Sequence, residues 1–276
     1  MRALASEDAF QDHVAELAGA VKTRTISASS AELPDLLVDV ALGSPAVCAL
    51  RALKRIAPEL AWDDPRLLSA AADVAWSFRT LINQHDAVAL LRRNADDRYW
   101  HRVLTYCADH NLQAVLDEYA HYLVDAEGLG ARPAAERAIG VARAMASALA
   151  VSPSQIDVDD VHVDGDALRI GKFQMRGRFA MRLADYKDED GAVARLGGVR
   201  DAFNSPFRPF VLATTSVGQE GLDFHPYCYR VYHWNLPGNP VDLEQREGRV
   251  QRFKGHAVRR NLAERQAAVV RARGQV

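Results

Sequence analysis

Near the C-terminal end, the stretch Gln245-Arg246-Glu247-Gly248-Arg249-Val250-Gln251-Arg252 carries the residue types best suited to chemistry. On a helix, Gln245, Arg249 and Arg252 fall at i, i+4 and i+7 and share one face. Two guanidinium forks beside an amide make a receptor for phosphate oxygens. Gly248 costs a helix interior roughly 1 kcal/mol against Ala, and its missing side chain leaves room for a backbone or ligand to come close. A helix start precedes it: Asn239 suits the cap, Pro240 the first turn, Asp242 the positive end of the dipole. Taken alone, the eight residues also read as a solvated Arg-rich face.

A second stretch changes that balance. The apolar run Pro209-Phe210-Val211-Leu212-Ala213 reads as a buried strand and leads into Thr214-Thr215-Ser216-Val217-Gly218-Gln219-Glu220-Gly221-Leu222-Asp223. A strand thus delivers hydroxyls, two glycines and then an acid. Hydroxyls and loop amides suit a phosphate backbone; a carboxylate suits a ribose hydroxyl or a metal-bound water.

Together the two stretches resemble motifs V and VI of superfamily 2 helicases and translocases, in the C-terminal RecA-like lobe. The sixth motif, Q-x-x-G-R-x-x-R, is matched by Gln245, Gly248, Arg249 and Arg252, and the fifth, T-S-x-x-x-E-G-L-D, by Thr215 to Asp223. The order of the connecting segments matches too, with Tyr229 to Trp234 as a strand, then Asn235-Leu236-Pro237. A helix carrying Arg200 and Phe203-Asn204 stands ahead of the Phe210 strand. The resemblance covers Arg195 to His256. It implies a RecA-like α/β lobe in which Arg249 and Arg252 reach the ATP γ-phosphate as arginine fingers. It also implies that Gln245, Gly248, Gly221 and Asp223 line the nucleotide side, with Asp223 and Gly221 coupling nucleotide to nucleic acid. Thr214, Thr215 and Ser216 would then touch the DNA or RNA strand.

Equally informative is what the 276 residues lack. A P-loop needs G-x-x-x-x-G-K-[ST] to hold the β- and γ-phosphates. The one Gly-Lys pair, Gly171-Lys172, is followed by Phe173 and has Asp166 where the first Gly belongs. There is no DExx box. Asp117-Glu118-Tyr119-Ala120-His121 puts its His one residue too far and sits in a helical pattern with Leu116 and Leu123. Asp159-Asp160-Val161-His162 fails similarly, with its His left as a possible contact residue. ATP and Mg2+ would therefore bind only with a first lobe supplied by another polypeptide, and the chain reads as the second half of a two-lobed motor. The alternative is a non-enzymatic module that grips nucleic acid or a partner; a remnant without activity is the third reading.

Composition fits these readings. With 49% hydrophobic and 25% charged residues the chain is an ordinary globular protein, long enough for one large or two small domains. No apolar run approaches the roughly 20 residues of a bilayer span, and the first ten residues have no apolar core. Cys48, Cys107 and Cys228 are far apart, which favours free thiols in a reducing cytoplasm over a metal framework. Net charge is −2, but Arg246 to Val276 holds nine Lys/Arg against two Glu, a local +7 on a body of −9. That basic end is either a track for a nucleic-acid backbone or a solvated helix.

The elements that must position these residues follow. Residues 1–150 read as mainly helical: Ser6 to Val21, a Ser/Thr-rich loop at Thr23 to Ser30, Leu36 to Leu42 stopping at Gly43, and Pro45 to Ile56. After these come a helix from Asp64-Pro65 with Leu67, Ala71, Val74, Phe78, Leu81 and Ile82 buried, then Tyr99 to Cys107, Leu112 to Leu123, and a helix opened by Pro133. Tyr99-Trp100 is expected in the helical core. From Ser152-Pro153 the pattern changes. Ile156, Val158, Val161 and Val163 alternate, Asp164-Gly165 signals a hairpin, and Ala167 to Ile170 returns. Phe179 to Leu183 is a further strand and Val193 to Phe203 a helix. Residues 151–257 are thus expected to form the α/β lobe and 258–276 a basic helical tail. His225 and His256 flank the motifs, either as structural hydrogen-bonding residues or as residues that approach nucleotide or strand.

Overall fold

A computed structural model describes residues 33–91, 99–150, 154–164, 167–177, 198–213 and 223–273. The helix expected at Ser6 to Val21, the loop at Thr23 to Ser30, the strand at Phe179 to Leu183 and most of the Thr214 to Asp223 loop lie outside them. The chain divides into two compact units, Met1–Ala150 and Val151–Val276.

The first unit is helical throughout its described residues. Its helices are α1 (Leu33–Gly43), α2 (Pro45–Ile56), α3 (Pro65–Ile82), α4 (His85–Leu91), α5 (Tyr99–Asp109), α6 (Leu112–Ala126) and α7 (Ala134–Leu149). The starts are set by local chemistry. The Asp64 side chain accepts from the Arg66 amide at 2.9 Å, with Pro65 in the first turn. Asn111, at φ 51°, accepts from the Ala114 amide. Helix α2 packs on α3 and α6, α3 on α7, and α1 on α5. Leu53, Leu67, Val74, Leu116, Met145 and Leu149 are wholly buried between them. Of the face foreseen on α3, Leu67, Ala71, Val74 and Phe78 are buried, while Leu81 and Ile82 are only partly covered. Gly43 is needed where α1 meets α5, since a Cβ there would stand 2.0 Å from the Leu104 carbonyl oxygen. Tyr99 donates its hydroxyl to the Ile82 carbonyl at 2.8 Å. Trp100 departs from the expected core position; it is exposed, with an edge contact to His101. Asp117, Glu118 and His121 lie on α6, where Asp117 pairs with Arg55 and His121 returns to the Asp117 carbonyl.

In the second unit, β1 (Ser154–Asp164) and β2 (Ala167–Gly177) form an antiparallel hairpin in which Asp164 faces Ala167 across a two-residue loop. The register continues to Ser154 opposite Gly177, so β2 runs well beyond the expected Ile170. Residues 198–203 are helical. Helices α8 (Pro240–Gly248) and α9 (His256–Ala272) close the chain.

The expected α/β sheet is corrected here. Among the described residues this hairpin is the whole of the sheet, and no RecA-like parallel sheet is formed. Residues 209–213 and 229–234, expected as its strands, take no ladder partner. The physical reason is that apolar alternation selects residues fit for a strand, whereas the strand itself exists only through hydrogen bonds to a neighbour distant in sequence. Most of their side chains are exposed, with Trp234 fully so and Tyr232 at 84%, while Pro209 is buried and Leu212 and His233 are partly covered.

Candidate phosphate-facing turn

Helix α8 begins as its sequence dictates. Asn239 accepts from the Val241 amide at 3.0 Å, Pro240 occupies the first turn, and Asp242 lies at the positive end. Its end differs from the expectation. The helix stops at Gly248, so the single face uniting Gln245, Arg249 and Arg252 is not formed. Beyond it the chain tightens into i to i−3 bonds, from Arg249 to the Arg246 carbonyl and from Val250 to that of Glu247. Gly248 is the last helical residue and a Cβ there would meet nothing within 4 Å, which leaves an open approach on that side.

The turn still gathers the arginines, by another route. Arg252 reaches back, donating Nε to the Gly248 carbonyl at 3.2 Å and placing its terminal nitrogen 2.6 Å from an Asp223 carboxylate oxygen. Both partners are about half exposed, 42% and 47%, so the pair is worth only ~0.2–1 kcal/mol. Arg249 is partly exposed, and among the described residues its guanidinium has no hydrogen bond or ion pair. Gln245 is exposed beside them on α8, and Arg246 donates to the Asn235 carbonyl at 3.1 Å.

Asp223 is held in place by its backbone. The Asn204 side-chain amide donates to the Asp223 carbonyl at 2.7 Å, and the Phe224 amide donates to the Arg249 carbonyl at 3.2 Å. Phe203 meets Phe224 edge to face, with centroids 5.6 Å apart, and both rings are buried. Thus the end of helix 198–203, the Asp223 segment and the Arg249 to Arg252 turn form one packed knot. Gly255 closes it. Its amide donates to the Arg252 carbonyl, and the His256 amide donates to the His225 carbonyl, each at 2.9 Å. A Cβ on Gly255 would stand 2.9 Å from the Arg252 oxygen and 3.3 Å from that of Val250. Lys254, at φ 60°, turns the chain into α9.

The two histidines flanking the turn sit differently. The His256 ring lies 5.3 Å from that of Tyr229 and 5.9 Å from that of Tyr227. Burial pushes the His225 imidazole below its ordinary value; Asp223 opposes that shift, and Arg252 and Arg259 reinforce it. Its Nδ1 is buried without a protein partner, as is the Asn204 Oδ1. Arg259 donates to the Pro226 and Lys254 carbonyls at 2.7 Å each, tying α9 to the knot. Beyond that anchor α9 is largely exposed and has no buried residue.

Of the residues named from the sequence, Gly248, Arg252 and Asp223 are brought into contact and Arg249 is tied to the same knot through its carbonyl, whereas Gln245 stays exposed on α8. Thr214, Thr215, Ser216 and Gly221 lie outside the described residues. Pattern reading passed over Gly255 and gave Asn204 no role. A glycine between a basic turn and a helix start was the available signal for the first; for the second, only the fold shows that its amide reaches Asp223. The three cysteines are free, and burial raises their thiols, Cys107 to about 11, which suits packing more than nucleophilic chemistry.

Residues 198–254 match the family model of the helicase conserved C-terminal domain. This chain contains a helicase C-terminal domain. No match is found among curated proteins or solved structures. The matched helicase segment starts at helix 198–203, includes Asn204, Asp223 and the arginine turn, and ends at Lys254, one residue before Gly255. Asn204, Asp223 and Arg252 therefore all lie within the matched segment, and the helical unit lies outside it.

Proposed function

We propose that this chain supplies one wall of a nucleotide cleft in an ATP-dependent helicase or translocase, the P-loop wall belonging to a lobe outside these 276 residues. The observation that carries the reading is the turn after Gly248, where two partly exposed guanidiniums stand beside an open glycine inside a helicase C-terminal domain. A triphosphate fits such a donor set: guanidinium forks take terminal phosphate oxygens, and an unobstructed Gly248 lets a phosphate come near the helix end. Arg249 and Arg252 would stabilise charge on the transferred phosphoryl group, with Gln245, Gly221 and Asp223 on the same side of the cleft. Mg2+ would be held by the nucleotide and by acids of the other lobe; among the described residues no group of three His, Cys, Asp or Glu gathers. Thr214, Thr215 and Ser216 would contact the DNA or RNA strand, and the chain would work in the cytoplasm.

The test is turnover. The chain alone should hydrolyse ATP negligibly, and robust nucleic-acid-stimulated hydrolysis by pure protein would overturn the reading. With a P-loop lobe that restores turnover, Arg252→Ala should cost ~10³- to 10⁵-fold in rate, the scale of an arginine finger, while the unfolding midpoint holds. Unchanged turnover would remove Arg252 from the mechanism.

A second reading, a non-enzymatic module binding nucleic acid or a partner, is favoured by the exposed basic helix α9 and by Phe253, 85% exposed beside Lys254. A flat salt dependence of DNA binding would exclude phosphate contacts.

A further inference from the structure

The two arginines of the turn are not equivalent. Arg252 is engaged twice, by the Gly248 carbonyl and by Asp223, whereas the Arg249 guanidinium makes neither contact. Asp223 in turn cannot drift, because Asn204 holds its carbonyl and the Phe224 amide is bonded to Arg249. A carboxylate fixed on that backbone competes with any phosphate for the same guanidinium. The competition is close, since a half-exposed ion pair is worth little and a phosphate offers more charge and more acceptors.

We propose that Asp223 is a positioning residue that stores Arg252 in a closed pair, so that Arg249 takes the incoming phosphate first and Arg252 follows by exchanging Asp223 for phosphate oxygen. This rests on the phosphate-facing reading above and divides the roles within it. The exchange needs only a movement of the Arg252 side chain, because the Gly255 amide on the Arg252 carbonyl and the Phe224 amide on the Arg249 carbonyl hold the backbone of the turn. Asn204 acts one step further back, keeping the Asp223 carboxylate opposite Arg252.

The experiment uses the full chain and inorganic tripolyphosphate, titrated by calorimetry at low ionic strength. Asp223→Asn should bind about two- to fivefold more tightly than wild type, the affinity equivalent of a half-exposed ion pair. Asp223→Glu should restore the wild-type affinity, a return that a merely structural role would not produce. Arg249→Ala should weaken binding more than Arg252→Ala does, and Arg252→Ala in the Asp223→Asn background should erase the gain. In wild-type chain labelled with 15N, the Arg249 Nε–H resonance should move at lower tripolyphosphate concentration than that of Arg252, a measurement that needs no variant to fold. The proposal is overturned if Asp223→Asn binds no more tightly, or if both Nε–H resonances move together. A tripolyphosphate affinity indifferent to Arg249 and Arg252 alike would overturn the phosphate-facing reading itself; dependence on Arg249 without any effect at Asp223 would overturn the storage role alone.

Discussion

The two units of this chain meet the problem of apolar surface in opposite ways. In the helical unit, each helix is complete in itself and turns an apolar stripe toward partners that are mostly distant in sequence, α1 toward α5, α2 toward α6 and α3 toward α7, and Leu53, Leu67, Leu116, Met145 and Leu149 vanish from solvent. In the second unit, Phe210, Val211, Tyr232, Trp234 and Leu236 are all exposed, although the sequence around them is just as apolar. Helical hydrogen bonds are internal to the segment, so a helix can form before it packs. A strand has no internal bonds and leaves an unpaired edge until a neighbour arrives. The helical unit therefore closes on itself. The described strand candidates of the helicase domain remain open, and its described residues are tied together in the small knot around Asp223 and Gly255.

That contrast can be broken by substitution. Leu116→Ala on α6 should lower unfolding free energy by about 2–5 kcal/mol, the range for deleting a buried leucine, as read from a denaturant midpoint; a loss below 1 kcal/mol would mean the helical core is not closely packed. Close backbone approaches come next. Gly43→Ala must push apart α1 and α5, and Gly255→Ala must displace the Arg252 and Val250 carbonyls, each costing about 1–3 kcal/mol by overpacking. The two should differ in readout. Gly43→Ala should leave tripolyphosphate binding intact, whereas Gly255→Ala should weaken it. Trp234→Ser should fall within about 0.5 kcal/mol of wild type, as a surface change does.

The smallest effect is electrostatic. The Arg66 side chain and amide hold the Asp64 carboxyl at about 2, below its ordinary value of 3.8. A carboxylate depressed in the folded state stabilises above its unfolded pKa, and that contribution is lost as pH falls through the folded value. The difference in unfolding midpoint between wild type and Asp64→Asn should therefore be full above about pH 4 and shrink toward pH 2. A difference unchanged at pH 2 would show that Asp64 caps α3 without using its charge.

Much of the molecule was legible in one dimension. Pro45, Asp64-Pro65, Asn239-Pro240 and the stop at Gly43 mark helix boundaries by chemistry local to each position, and the Asp164-Gly165 signal lies at the hairpin turn. The Q-x-x-G-R-x-x-R and E-G-L-D patterns identified the helicase domain, because residue type and spacing alone carry them. Two readings failed for a common reason. The strands at 209–213 and 229–234 were inferred from composition without a pairing partner, and the shared face of Gln245, Arg249 and Arg252 assumed that the helix would continue through Gly248.

The sequence by itself determined which groups are present: the guanidiniums, the acid, the glycine beside them, and the helices whose caps and stripes are local. Only the tertiary structure decided their state. Asp223 lies 29 residues before Arg252 in the chain, and no periodicity could say that it meets Arg252 at 2.6 Å and not Arg249. Such a contact depends on Asn204, Phe203, Phe224 and Gly255 folding the intervening chain back on itself, and that is a property of packing.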